Sequence, residues 1–221
     1  MSKSGANSRA GNRLSEEADT RIERLEAITD ADLENLCDAT NEAIIDGEGF
    51  GWRTPPSRHV LETFWRGVLM VPERTLFVAR LDGVIVGSIQ LVRPPNNNQA
   101  GAFAASVATF FIAPWARGHG LARGLLNESI EVARKQGFRV LDLDVRGDRS
   151  AAITLFEGAG FQRWGEKPEY AMVKRAYVHG YYYSLTLNGQ QKTSKTGDRF
   201  EGRSVRALAE GRSRGSYRVQ R

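Results

Sequence analysis

The sequence predicts an α/β protein in which helices cover both faces of a mixed, mostly antiparallel sheet. Three observations favour this fold class. Between about Thr20 and Leu187, strand-like apolar runs alternate with amphipathic, helix-like segments. Asp82-Gly83 separates two of the strand-like runs, which is typical of a tight antiparallel hairpin. Further on, a strand, a glycine-bearing loop, a helix and a second strand follow one another, and this βαβ order predicts one parallel pair with a right-handed crossover.

The composition indicates one globular domain with polar ends. A chain of 221 residues, 41% of them hydrophobic, can bury a single good core. We expect residues 1–18 to be a disordered N-terminal tail, residues 19–187 to form the domain, and residues 188–221 to be a disordered basic tail, because both ends contain few large apolar residues. The last segment carries nine Lys or Arg against three acids, a net charge of +6, so the rest of the chain has a net charge of −1 and the basicity lies in this tail.

Charge and cysteine content exclude several classes of protein. Cys37 is the single cysteine, which excludes an internal disulfide framework, and no cluster of His, Cys and acids predicts a metal site. The first eleven residues are polar and no apolar run is long enough to span a bilayer, so we expect no secretory signal, no membrane partner and a cytoplasmic location. The basic tail allows weak contact with a polyanion.

The N-terminal half predicts one strand, two helices and an antiparallel meander. Arg21–Ile28 has a strand pattern, and Thr29 or Asp30 can cap the helix that follows. A glycine-rich loop through Pro55-Pro56 precedes a second helix, which Ser57 can cap. The three strands of the predicted meander are Leu76–Leu81, Val84–Val92 and Phe103–Ile112.

The C-terminal half begins with the glycine loop and predicts two more helices and three more strands. Apolar residues from Leu121 to Ala133 recur at helical spacing, and Gly137 marks the end of that helix. The later predicted elements are the strand Arg139–Val145, the helix Ser150–Glu157, the strand Phe161–Trp164 and the strand Tyr177–Leu187.

The loop Arg117–Ala122 has the composition of a phosphate cradle. The first N–H groups of a helix have no intrahelical partner, and the peptide dipoles add partial positive charge there, so anions bind readily. Gly118 and Gly120 lack a Cβ atom, which lets a pyrophosphate approach the main chain closely. Arg117 adds a fixed charge and His119 a polar side chain. The sequence therefore predicts a phosphate-binding loop.

Several segments together resemble the core of the GCN5-related N-acetyltransferases, a family with an acyl-CoA N-acyltransferase fold. The phosphate loop and the later helix end stand at the separation found in that family, and the similarity covers most of residues 20–187. The resemblance implies that acetyl-CoA is the co-substrate and that an acceptor amine attacks the thioester directly, without a covalent enzyme intermediate. The matching segments are Phe110–Pro114, Arg117–Ala122, Gln136-Gly137-Phe138 and Ala152–Phe161.

The resemblance also assigns cofactor-binding residues. In the family, main-chain N–H groups of the loop hold the CoA pyrophosphate, and the end of the preceding strand binds the pantetheine arm. One amide of that strand end would donate to the thioester oxygen in the tetrahedral intermediate. Arg149, where the family often has Asn, is expected to reach the CoA phosphates by its charge. The residues so assigned are Phe111, Ile112, Arg117, Gly118, His119, Gly120, Leu121, Ala122 and Arg149.

The catalytic side chains are less well defined than the loop. Phe156 stands where the family often has a tyrosine that protonates the departing thiolate. Either another donor supplies the proton, or the thiolate leaves without a dedicated acid, or the protein is a catalytically weak acyl-CoA-binding sensor. Tyr170 is the candidate acid. A lysine-like acceptor, with a pKa of about 10.4, also needs a base. Asp46, Glu48 and Glu62 lie in the region that lines the acceptor pocket in this family, and Glu48, beside Phe50 and Trp52, is the first candidate.

The acceptor is an amine whose identity the sequence leaves open. A small-molecule amine, a protein N-terminus and a lysine side chain all satisfy the implied chemistry. Trp52 and Trp65 are candidates for the wall of an acceptor pocket, although tryptophans near helix joints are more often core residues. A homodimer is left open as the state of assembly.

Overall fold

The computed structural model describes residues 18–47 and 50–187. Four α-helices and seven strands are formed within these residues, together with a short 3₁₀ turn at Pro114–Ala116. In chain order they are β1 (Thr20–Arg24), α1 (Asp30–Ile45), α2 (Arg58–Met70), β2 (Arg74–Leu81), β3 (Val84–Val92), β4 (Ala104–Ile112), α3 (Leu121–Lys135), β5 (Val140–Arg146), α4 (Ser150–Gly158), β6 (Gln162–Val173) and β7 (Ala176–Thr186).

The described strands form one sheet in the order β1-β2-β3-β4-β5-β7-β6. Its neighbours are antiparallel except β4 and β5, which run parallel. The parallel ladder joins Ala104, Ala105 and Ser106 to Val140, Leu141 and Asp142 and then ends, although both strands continue. β4 and β5 therefore splay apart towards their C-terminal ends, and the predicted parallel pair is confirmed.

Helices cover both faces of the sheet, as the sequence predicts. Neighbouring residues of a strand point to opposite faces. In β4, Phe110 packs against Phe156 of α4, with ring centroids 5.7 Å apart. The next residue, Phe111, packs instead against Trp65 of α2, at 6.3 Å. α2 and α4 consequently lie on opposite faces of β4, and the predicted fold class is confirmed.

The predicted hairpin is present, whereas two strand ends differ from the prediction. Asp82 and Gly83 have φ values of +50° and +83°, as a tight turn with two left-handed residues requires. β1 ends at Arg24, because the chain bends after Leu25 before α1 begins. β6 continues to Val173 rather than stopping at Trp164. It is an edge strand facing water, so its charged residues hide the apolar alternation on which the prediction depended.

The core lies around the central strands, and a buried hydrogen bond within it joins α1 to α2. Thr29 caps α1 in a capping box with Asp32, whose N–H donates to Thr29 Oγ1 over 3.1 Å. Trp65 is fully buried, and its Nε1–H donates to Thr40 Oγ1 over 3.1 Å. None of the helices within residues 18–47 and 50–187 is long and apolar enough to cross a membrane.

Candidate active site

A β-bulge interrupts β4 just before the strand ends. Ser88 pairs with Phe111 and Gln90 with Ala108, so β4 carries one residue more than β3 between these pairs. Thr109 has a φ of +48°, which is uncommon for a β-branched residue. The Ser88 hydroxyl donates to the Thr109 carbonyl over 3.2 Å. Because a bulge bends its strand, this one accounts for the departure of β4 from β5.

The splay between β4 and β5 opens beside Phe111 and Ile112. The ladder between the strands stops at Ser106 and Asp142, so main-chain groups of residues 107–112 that face β5 are not used by that strand. The other edge of β4 stays paired, and Ala113 N–H donates to the Val86 carbonyl over 2.7 Å. One edge of β4 is thereby held by β3, while the opposite edge faces the gap between β4 and β5, which we call the slot.

The glycine loop follows this strand end directly and leads into α3. Gly118 and Gly120 have φ values of +90° and +75°, and Gly120 is the N-cap of α3. A Cβ atom at either glycine would meet no atom within 4 Å, so the space in front of the loop is open. The first turn of α3 contains no acidic residue. The loop thus presents unpaired N–H groups and a positive helix end to an open surface.

Arg117 and His119 flank the cradle. The Arg117 guanidinium pairs with the Asp46 carboxylate at the end of α1, with Nη2 and Oδ2 2.8 Å apart. His119 Nδ1 lies 3.2 Å from the Ala116 carbonyl oxygen. The ion pair holds the Arg117 guanidinium beside the loop, next to the N-terminal end of α3.

Arg149 lies against the segment between α1 and α2. Arg149 and Arg146 both donate through Nη2 to the Gly47 carbonyl, the latter over 2.6 Å. Asp148 lies 3.0 Å from Arg146 Nε and 3.6 Å from Arg149 Nε. These contacts fasten the end of α1 to the connection between β5 and α4. The assignment of Arg149 to the CoA phosphates stays a prediction.

Phe156 is buried in an aromatic cluster. Its ring lies 5.7 Å from that of Phe110 and 6.0 Å from that of Phe161, between centroids. Both partners are phenylalanines, so the immediate ring contacts supply no hydroxyl. α4 therefore offers an apolar surface where the family often has a tyrosine.

Tyr170 lies on the other face of the sheet, beside β5. Leu143 of β5 pairs in register with Tyr183 of β7, and the Tyr183 hydroxyl donates to Glu157 of α4 over 2.9 Å, so Leu143 and Tyr183 lie on the α4 face. Asp144, the residue after Leu143, points to the face away from α4. The Tyr170 hydroxyl donates to the Asp144 carboxylate. The structure therefore does not bring Tyr170 next to Phe156.

The environment of Tyr170 changes its acidity. Burial raises the pKa of Tyr170 well above its usual value, and the hydrogen bond to Asp144 raises it further, because both disfavour the phenolate. The phenol keeps its proton at neutral pH but releases it reluctantly. Its candidate role as the acid stays a prediction.

An aromatic cluster from α2 and the segment before it covers Phe111. Phe50 lies 5.1 Å from Phe111 and 5.8 Å from Trp52, between ring centroids. Phe64 lies 5.3 Å from Trp52 and 5.0 Å from Trp65. Trp65 is a core residue, whereas Trp52 is partly exposed. Glu48, the candidate base, lies outside the described residues.

Three features of the site are missing from the prediction. Nothing in the sequence around Thr109 indicates a positive φ, since threonine is a strand-forming residue. Asp144 looks like an ordinary polar position of an alternating strand. Gly180 does leave a sign, because a glycine inside a strand pattern indicates a bulge or a close approach, and here the Tyr170 ring lies over it.

A separate basic groove lies away from these residues. It has a volume of about 470 Å³, and three arginines, Arg24, Arg74 and Arg93, are among its lining residues. Arg74 pairs in register with Val92, near the N-terminal end of β4, whereas Ile112 at the other end pairs with Gly87. The groove is therefore at the opposite end of the sheet from the glycine loop. Among the residues described, no group of three His, Cys, Asp or Glu is arranged to hold a metal ion.

Solved structures share this fold. An N-acetyltransferase from Staphylococcus aureus aligns with a TM-score of 0.66 and 20% identity, over 77% of this chain and 99% of its own. A phosphinothricin acetyltransferase from Sinorhizobium meliloti, solved with acetyl-CoA, aligns with a TM-score of 0.64 and 20% identity, over 84% of this chain and 96% of its own. The splayed sheet with its glycine loop therefore has the fold of the N-acetyltransferases.

Sequence comparisons identify the family itself. The profile of the acetyltransferase (GNAT) family matches residues 36–161. An uncharacterized N-acetyltransferase in the hisH-hisA intergenic region of Azospirillum brasilense is 57% identical over 128 residues, which are 58% of this chain and 76% of that protein. N-alpha-acetyltransferase RimI of Mycobacterium tuberculosis is 29% identical over 163 residues, or 72% of this chain and 90% of that protein. The chain belongs to the acetyltransferase (GNAT) family. The predicted enzyme class, an acetyl-CoA-dependent N-acetyltransferase, is confirmed.

Proposed function

We propose that this enzyme binds the pyrophosphate of acetyl-CoA at residues 117–122 and the pantetheine arm in the splay between β4 and β5. The observation that carries the proposal is the continuity of the two features. The slot opens at Phe111 and Ile112, and five residues later the chain forms a loop with two positive-φ glycines at the start of α3. A phosphate and a thioester at opposite ends of one extended arm need such an arrangement.

The donor site works mainly through the main chain. N–H groups of the loop and of the first turn of α3 bind the pyrophosphate, with Arg117 adding charge. The unused edge of β4 offers its amide groups to the pantetheine arm, as a neighbouring strand would. An N–H group at Phe111 or Ile112 donates to the thioester oxygen and stabilises the tetrahedral intermediate, an effect of about 3 kcal/mol for a single donor.

Transfer proceeds by direct attack of a neutral amine on the thioester carbon. The C–N bond forms, the C–S bond breaks, the nitrogen gives up one proton to a base, and CoA leaves as a thiolate that takes up a proton. Glu48 remains the candidate base for the acceptor. Because Phe156 carries no hydroxyl and Tyr170 lies on the other face, we favour departure of the thiolate without a tyrosine from α4.

Among the acceptor classes, a protein N-terminus has one further argument. The relative from Mycobacterium tuberculosis is named an N-alpha-acetyltransferase. An N-terminal amine also has a lower pKa, about 7.7–8.0, than a lysine side chain. A weak base in the site would therefore suffice to activate it.

Release of CoA thiol tests the function directly. Purified enzyme is mixed with acetyl-CoA and a panel of amines: L-alaninamide, a short peptide with a free N-terminus, the same peptide acetylated at its N-terminus but containing lysine, and spermidine. Thiol release with at least one amine supports the proposal. Binding of acetyl-CoA without thiol release for any of them favours the sensor, the second candidate, which the missing hydroxyl at Phe156 motivates.

The ends of the chain and its surroundings complete the proposal. We place the enzyme in the cytoplasm as a domain of residues 19–187, with residues 188–221 making weak contact with polyanions through their basic side chains. Truncation after Leu187 tests this contact. Heparin binding that persists unchanged in the truncated protein would contradict the role of the tail.

A further inference from the structure

Asp144 occupies the rim of the splay on the face away from α4. It lies two residues beyond Asp142, where the parallel ladder ends, and its side chain is exposed. Its neighbours Leu143 and Val145 alternate to the opposite face. Phe111, at the end of β4, also points away from α4. A carboxylate therefore stands on the same side of the opening as the aromatic cluster around Phe111.

Aromatic rings surround this carboxylate on the β7 and β6 side. Tyr182 is the register partner of Asp144, so the two side chains share one face of the sheet. Tyr182 lies 6.3 Å from Tyr170 and 5.3 Å from Trp164, between ring centroids. Trp164 is 66% exposed, so much of its indole surface is available to a ligand. A carboxylate beside aromatic faces has the chemistry that binds an ammonium ion.

The Tyr170 side chain lies over β7 at a position where the strand has a glycine. Its ring crosses β7 at Gly180, where a Cβ atom would lie 2.2 Å from Tyr170 Cγ, so only glycine fits beneath it. The pairing of β6 with β7 is irregular between Lys167 and Ala171, which allows Tyr170 to turn towards β5. Its hydroxyl then donates to Asp144. The strand irregularity, the glycine and the ring together orient one carboxylate.

Arg146 is a cation near Asp144: it lies two residues further along the same face of β5, and its charge acts on Tyr170. Within the described part of the chain, no Lys or Arg forms an ion pair with it. Arg146, the guanidinium closest along the strand, is bound to Asp148 and to the Gly47 carbonyl. The Asp144 carboxylate therefore has no ion-pair partner among these residues, and the nearby Arg146 is held by other groups.

We propose that Asp144 binds the acceptor as its ammonium ion and that Tyr170 is the positioning residue for this carboxylate. The acceptor class follows from the charge: an amine whose adjacent groups are uncharged, such as a peptide N-terminus or an amino-acid amide. A free amino acid would bring its α-carboxylate next to Asp144. This inference rests on the proposed acetyl transfer and assigns the acceptor half of the same site.

The decisive experiment compares a matched pair of acceptors in wild type and Asp144→Asn. L-Alaninamide and L-alanine differ in the charge beside the amine. Wild type should show the higher kcat/KM for the amide. Asp144→Asn should lower kcat/KM for the amide by roughly 10-fold or more, mainly through KM, because a charged hydrogen-bond partner is lost. The preference for the amide over the acid should shrink in the same variant.

Asp142→Asn is the matched control. Asp142 lies on the same strand and face, but it accepts a hydrogen bond from Ser184 and belongs to the paired part of β5. It should retain the wild-type KM for L-alaninamide. The thermal shift produced by acetyl-CoA should be the same in both variants and wild type, which shows that the donor site is intact.

Tyr170→Phe separates positioning from proton donation. A positioning role predicts a raised acceptor KM of a few fold with kcat close to that of wild type. A fall in kcat at unchanged KM for every acceptor would instead identify Tyr170 as a proton donor and overturn the positioning role. Equal unfolding midpoints in urea show that neither change reflects folding.

The outcomes distinguish this inference from the proposed function. If wild type binds acetyl-CoA but no amine of the panel releases thiol, the acetyl transfer itself fails and the acceptor assignment with it. If wild type is active but Asp144→Asn stays within two-fold of it, or if L-alanine is the better acceptor, only the assignment of Asp144 is overturned.

Discussion

The two halves of the site are built by different means. The phosphate end of the proposed donor half is six consecutive residues, 117–122, to which we assign binding through backbone N–H groups. The proposed acceptor half joins Asp144 of β5, Tyr170 of β6 and Gly180 of β7, which meet only through strand register. A main-chain site needs permissive backbone at one place in the sequence. A side-chain site needs distant residues to arrive on one face together.

The halves also differ in charge, which suits their substrates. In the proposed donor half, the N-terminus of α3 presents partial positive charge to an anionic cofactor, and Arg117 lies beside it in its ion pair with Asp46. In the proposed acceptor half, the Asp144 carboxylate lies on the face away from α4 and binds a cationic amine. Opposite local charges at the two halves would favour binding of each substrate at its own half. A substitution in one half should therefore leave substrate binding at the other half intact, so that each can be measured separately.

Gly120→Val should have the largest effect on the donor half. Valine at a φ of +75° is strained by about 1–3 kcal/mol, and its side chain would occupy the space where a pyrophosphate approaches the backbone. Acetyl-CoA at 100-fold over its Kd should stabilise wild type by roughly 2.7 kcal/mol, and the variant should lose this stabilisation. Thermal unfolding with and without acetyl-CoA measures it.

Gly137→Val is the control for backbone strain. Gly137 follows the other end of α3, has a φ of +83°, and a Cβ atom there also meets nothing within 4 Å. The variant should be destabilised to a similar extent yet keep its acetyl-CoA shift. If both variants lost the shift, strain transmitted through α3 rather than the cradle would explain the result.

This comparison also shows what the sequence could and could not reveal. The sequence predicts the loop with Gly118 and Gly120 and the turn at Asp82-Gly83, because each local pattern permits few backbone conformations. The hydrogen bond between Tyr170 and Asp144 could not be predicted from the sequence. It depends on the register of β5, β7 and β6 and on an irregularity in β6.

The bulge at Thr109 is the clearest limit of sequence reasoning. Threonine favours extended strands, and its positive φ is imposed by the pairing of β3 with β4 and by the Ser88 hydrogen bond. Tertiary structure overrides the local preference there. The charged residues of β6 led the prediction to end that strand too early, since an edge strand can be polar on both faces.

Thr40→Val tests how strongly the Trp65 hydrogen bond stabilises the aromatic cluster around Phe111. The substitution removes the acceptor of the buried Trp65 Nε1–H and leaves that donor unsatisfied, at a cost of about 1–3 kcal/mol. The free energy of unfolding in urea measures the loss. Thr63→Val, on the exposed side of α2, should change it by less than about 0.5 kcal/mol. Equal values for the two variants would contradict a structural role for the Trp65 hydrogen bond.

Phe156→Tyr tests the apolar character of the α4 side. The new hydroxyl would enter a cluster formed with Phe110 and Phe161 and cost about 1–2 kcal/mol if it finds no partner. Phe103→Tyr, at a position that is 51% exposed, should have no measurable effect on the free energy of unfolding. A variant at 156 that is as stable as wild type and has a higher kcat would show that a tyrosine there can still reach the thiolate.

Asp46→Asn should have the smallest effect and concerns the border of the donor half. Asp46 and Arg117 form an ion pair in which both side chains are about 40% exposed, so its contribution to stability should be under about 1 kcal/mol. Removing a negative charge near the cradle should tighten acetyl-CoA binding by about two-fold at low salt, and the gain should fade as salt screens it. Calorimetric titration at two salt concentrations measures this. Asp38→Asn, which breaks the ion pair with Arg58 elsewhere on α1, should leave the Kd unchanged. Weaker binding in Asp46→Asn would show instead that the ion pair orients Arg117 for the phosphate.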